Sequence, residues 1–61
     1  MRMPVEDRRA ALAQAALTVL ARDGLAAATT RAIVAEAGMS LASFHYAYES
    51  RLALLRDVIT L

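Results

Sequence analysis

The sequence has no cysteine, no tryptophan and no lysine, one proline and two glycines. Without cysteine, neither a disulfide framework nor a thiolate metal site can form, which fits a reducing compartment. No stretch approaches the roughly 18 apolar residues of a membrane span. The opening MRMPVEDRRA carries acids and has no apolar core of the kind a secretory signal needs. A cytoplasmic protein without a membrane partner is therefore expected. With a single His and no pair of carboxylates spaced for a shared site, no enzyme, metal centre or cofactor is expected either. Glu49 and Asp57, eight positions apart, read as solvated surface acids.

Charge of one sign is also scarce. The formal net charge is only +1, so charge alone does not announce a nucleic-acid partner. Its distribution is more informative, because all seven cations are Arg, the residue suited to planar, bidentate contact with phosphate or guanine. A base-composition bias in the source genome would equally put Arg for Lys and add alanine.

What is present is apolar and helical. Sixty-one residues make one small domain, and a domain of this size buries only about 60% of the surface its unfolded chain exposes. Yet 59% of the residues are apolar, much of that alanine, the best helix former and a poor filler of volume. Pro4, followed by the acids Glu6 and Asp7, suits a helix start. Leu12, Ala16, Val19 and Leu20 recur at helical spacing, with Ala15 beside them. Arg22 sits in the last turn, and Gly24 is placed to end the helix in the left-handed C′ conformation. The first helix is expected over 5–23.

Thr29 is a good N-cap for a second helix over about 30–37, with Ile33, Val34 and Ala37 inward and Gly38 as its stop. Ser40 caps a third helix, about 41–47, and Ser50 a fourth, about 51–61, in which Leu54, Leu55, Val58 and Ile59 keep helical spacing. Helix, Gly-containing turn, helix is the helix-turn-helix pattern. The apolar pattern of the last helix runs to Leu61 with no stop signal, so the 1–61 segment is expected to be truncated before a further domain.

Every ring apart from that of Pro4 lies in FHYAY, residues 44–48. A recognition helix must anchor to a core on one side and meet the major groove on the other. Phe44 and Tyr48, at i and i+4, share a side and pack inward. Ala42, Ser43, His45 and Tyr46 are left to the other faces.

The stretch ATTRAIVAEAGMSLASFHYAYESRLALL resembles the DNA-binding segment of TetR-type transcriptional regulators. The resemblance is carried by Thr29, Ile33, Ala37, Gly38, Met39, Ser40, Ala42, Ser43, Phe44, Tyr48, Ser50, Arg51, Leu54 and Leu55. Upstream, LAQAALTVLARDGLAAAT is similar to the family's first helix. The resemblance implies an all-α fold: a three-helix DNA-binding bundle with a helix-turn-helix, plus the start of a fourth, connecting helix. It implies DNA contacts from Thr29, Thr30 and Arg31, from Ser40, Leu41, Ala42, Ser43, His45, Tyr46 and Ala47 of the third helix, and from Arg51 as a phosphate grip. It further implies double-stranded DNA as partner, a palindromic operator, a homodimer in the full-length parent, and a small-molecule inducer bound only by a C-terminal domain beyond this segment. Repression is the commonest role in the family.

Departures from the family pattern fall at His45, where a tyrosine is usual, and at Leu41 and Ala47. Leu52 stands where an acid is usual, and Val34 where alanine is. A different reading, a small helical protein–protein interaction module, rests on the apolar excess and low net charge. Ionic strength separates the two, because counterion release makes DNA affinity fall with salt.

Overall fold

A computed structural model of the protein describes residues 4–59. Its elements are α1 (Val5–Asp23), a 3₁₀ turn (Leu25–Ala27), α2 (Thr30–Ala37), α3 (Leu41–Ala47) and α4 (Arg51–Ile59). The described residues contain no strand, and the fold is the all-α bundle anticipated above. Residues 60 and 61, over which the fourth helix was expected to continue, lie outside the described residues.

Local chemistry sets the helix boundaries. Thr29, Ser40 and Ser50 each accept, through the side-chain oxygen, an N–H three residues on: from Ala32, Ser43 and Ala53, all at 3.1 Å. Each bond satisfies a donor that a helix start would otherwise leave unpaired. Gly38 ends α2 at φ 69° and ψ 32°, the left-handed region that a Cβ disfavours. Its N–H donates to Ala35 O at 3.2 Å and that of Met39 to Val34 O at 2.9 Å, the paired bonds of a Schellman stop.

Gly24 departs from its expected cap. Its φ of 90° is positive, but its ψ of 171° is extended, a combination essentially confined to glycine. The residue therefore redirects the chain into the 3₁₀ turn instead of closing α1 with a left-handed cap. That turn was not foreseen, because Leu-Ala-Ala carries no turn chemistry.

The core draws a large side chain from every helix. Leu12 and Val19 of α1, Ile33 of α2, Phe44 of α3 and Leu54 of α4 are essentially inaccessible to solvent. Buried alanines at 15, 16, 28 and 47 lie in the same cluster and fill little volume between helices. α1 packs on α2, α3 and α4, while α2 and α3 pack on each other. Val34, bulkier than the alanine usual there, is also buried.

A polar tie moors the C-terminal end of α3. The Tyr48 phenol donates to Asp57 Oδ2 of α4 at 2.8 Å. Arg9 of α1 lies over the Tyr48 ring at 5.3 Å and donates from Nε to Ala47 O at 2.9 Å. Asp57 is thus an acceptor in this tie and not a merely solvated acid.

Burial, then the hydrogen bond to Asp57 and its negative charge, push the Tyr48 phenol up to about 12, with Arg9 opposing. The folded value exceeds the ordinary 10.0, so this contribution to stability is complete below that pH and disappears as pH rises through the folded value. In a Tyr46→Phe variant, where Tyr48 is the sole phenol, phenolate absorbance is expected to titrate near pH 12. A midpoint at the ordinary value would remove the tie from this account.

Candidate nucleic-acid interface

α3 has two sides, assigned by its helical spacing. Phe44 and Ala47, three positions apart, turn inward, and Tyr48 follows them at 6% exposure. Ala42, His45 and Tyr46 turn outward, with Tyr46 67% exposed. Leu41 is 40% exposed at the start of the helix and Ser43 half-buried. On α2, Thr29 and Arg31 are exposed and Thr30 is half-buried. The packing of α2 on α3 makes one two-helix unit of these residues.

Two expected contact residues do not belong to this outward set. Ala47 is 3% exposed, because a position three after Phe44 falls on the anchored side, where its methyl group meets the core. Arg51 is turned back across the bundle. Its Nε donates to Ala28 O at 2.6 Å and its Nη2 to Leu25 O at 3.1 Å. The guanidinium therefore braces the 3₁₀ turn that precedes α2 and is not presented outward as a phosphate grip. Ser40 stays exposed, but its hydroxyl is spent locally: it accepts from Ser43 N–H and donates to Ser43 Oγ at 3.2 Å.

His45 packs edge-on against Phe44, with ring centroids 5.4 Å apart, and keeps the rest of its ring in solvent. Arg22, at the end of α1, pairs with Asp23 at 2.9 Å and with Glu36 of α2 at 3.0 Å. These exposed ion pairs tie α1 to α2 only weakly, because solvent screens them, and occupy two of the acids near the unit.

Sequence reasoning overlooked Arg8. Its guanidinium carbon stands 4.9 Å from the centre of the Tyr46 ring, a cation–π contact between the first turns of α1 and the outward side of α3. Arg8, Ala42, Ser43 and Tyr46 line an open notch of about 370 Å³ on that side. The available signal was the mixing of acids and bases in EDRR, but nothing local to α1 indicates which helix Arg8 reaches.

Among the described residues no three His, Asp or Glu side chains are grouped to hold a metal ion, and no helix is long and apolar enough to cross a membrane. The surface offers guanidinium, hydroxyl and imidazole donors around small apolar groups.

Comparison with known proteins bears on this arrangement. Residues 12–58 match the sequence profile of the bacterial regulatory proteins of the tetR family. The chain is 39% identical over 56 residues to the HTH-type nicotine-responsive transcriptional repressor HdnoR of Paenarthrobacter nicotinovorans. That match takes in 92% of the chain but 29% of the relative's length. No solved structure gives a significant match.

Proposed function

The chain belongs to the tetR family of bacterial regulatory proteins, and from that premise we propose that it is the operator-reading domain of a transcriptional regulator, most simply a repressor, which inserts α3 into the major groove of double-stranded DNA. The observation that carries the proposal is the two-sided α3: Phe44 and Ala47 hold it to the core while Ala42, His45 and Tyr46 are left outside. A helix used only for packing has no need to expose two polar-tipped rings. No catalytic step is part of this reading.

Direct readout on this face is lean. Leu41 and Ala42 suit contact with a thymine methyl, and Ser43 hydrogen-bonds with little base preference. Arg31 is the exposed side chain of α2 able to meet guanine O6 and N7 in a bidentate way. Thr29, Thr30, His45 and Tyr46 supply phosphate contacts, which orient the domain and provide most of its affinity. Replacing Arg31 by Ala is expected to cost about 1–3 kcal/mol and to relax preference at one base pair. Titration against a library of duplexes reads both effects. Undiminished affinity and unchanged preference would mean that the reading face has been assigned wrongly.

One such domain binds weakly, and helix-turn-helix proteins place two recognition helices about 34–36 Å apart on a palindrome. A homodimer, a palindromic operator and an inducer pocket in a further helical domain complete the proposal. Its support is the 29% coverage of the relative and the apolar side chains of Leu52 and Ile59, seven apart on α4 and 64% and 80% exposed. Such a pair on one helix face suits a protein contact. In a longer form of the protein, Leu52 remaining solvent-exposed would count against that contact.

A further inference from the structure

We propose that Arg8 of α1, together with Ser43 and Tyr46 of α3, forms a clamp for one DNA backbone phosphate, a contact the helix-turn-helix cannot complete without α1. The inference rests on the DNA-reading face proposed above and adds a residue from outside it.

Three features converge on the notch between the two helices. First, the Arg8 guanidinium is held against the Tyr46 ring at 4.9 Å, and among the described residues no carboxylate pairs with it. Stacking on a ring face restrains the plane of the guanidinium but leaves its in-plane N–H donors unspent, the geometry that a phosphate accepts. Second, Ser43 Oγ receives the Ser40 hydroxyl hydrogen, which leaves its own O–H to donate elsewhere. Third, the Tyr46 phenol has no hydrogen-bond partner among the described residues and borders the same space.

The notch lining as described therefore holds a cation, two hydroxyls and the methyl of Ala42, with no acid. An anion of phosphate size meets donors there and no opposing charge. The 370 Å³ opening is unroofed, as a site must be if its ligand is one phosphate of a continuous strand. Because Tyr46 already restrains Arg8, less side-chain freedom is lost on binding than for an unrestrained surface Arg.

The test is a salt titration of the 61-residue chain with a short, labelled duplex of mixed sequence, followed by fluorescence anisotropy. R8A and R8Q should lower the slope of log affinity against log salt by about 0.9, alike for every duplex sequence. The affinity loss between 50 and 200 mM salt then becomes about three- to fourfold smaller than for the unaltered chain. R8K, which keeps the charge, should keep the slope. Folded R8A and R8Q with the unaltered slope would overturn the clamp and leave the DNA-reading face standing. Loss of helical circular dichroism in both would overturn it too, by making Arg8 a structural residue. An unaltered chain that binds duplex without salt dependence would overturn the DNA reading itself, and the clamp with it.

Discussion

Replacing Phe44 by Ala is expected to remove a large share of this protein's folding stability and bring it close to the unfolding threshold. Phe44 is fully buried at the point where α3 meets the rest of the core, and it is the chain's only phenylalanine. Truncating a buried Phe to Ala removes about 3–5 kcal/mol through lost transfer free energy and the cavity left behind. A domain of this length has roughly 3–9 kcal/mol in total, at about 0.05–0.15 kcal/mol per residue. The neighbouring buried residues include Ala15, Ala16, Ala28 and Ala47, whose short side chains cannot swing in to fill the void. Urea unfolding followed by circular dichroism measures the loss. A cooperative transition displaced by less than about 1 kcal/mol would contradict the packing described here.

Replacing Arg51 by Ala should produce the next largest effect, and on stability more than on affinity. The guanidinium donates to Ala28 O and Leu25 O, tying the start of α4 to the turn before α2. Hydrogen bonds from charged groups contribute about 1.5–3 kcal/mol each, and partial exposure lowers the sum, so a loss of about 2–3 kcal/mol is expected for the pair. Lys at position 51 can reach one carbonyl with a point-like ammonium but cannot reproduce the two-pronged donor set, so it should restore only part. The competing role, a phosphate grip, predicts a different pattern: little change in urea stability and a salt slope for DNA binding that is shallower by about 0.9. Measuring both quantities on one variant separates the brace from the grip.

Which features could be read from the chain depends on how far each interaction reaches. The caps at Thr29, Ser40 and Ser50 and the stop at Gly38 were legible because donor and acceptor lie within a few residues, and so were the inward residues Ile33, Phe44 and Leu54. The 3₁₀ turn at Leu25–Ala27 was not, since alanine is compatible with a continued helix. Ala47 was put on the contact face by family resemblance, whereas in the structure it lies three positions after Phe44 on the anchored side. Arg8, Arg9 and Arg51 were illegible for one shared reason. Each has a long side chain whose partner lies 38, 38 or 23 positions away, so its direction follows from which helices become neighbours. Pattern therefore says more about which side of a helix a short residue occupies than about where a long cationic side chain ends.

The division of α3 into an anchored and an outward side also bears on how such a domain diversifies. Substitutions at Ala42 or His45 change what is presented to a partner without entering the core, so a lineage can change its binding preference without refolding. Tyr46 is the exception, because its ring is bound to Arg8. Replacing it strands a guanidinium on α1, and replacing Arg8 releases a ring on α3. Those two positions are thus coupled across helices, and drift at one should be followed by drift at the other, even though 38 residues separate them along the chain.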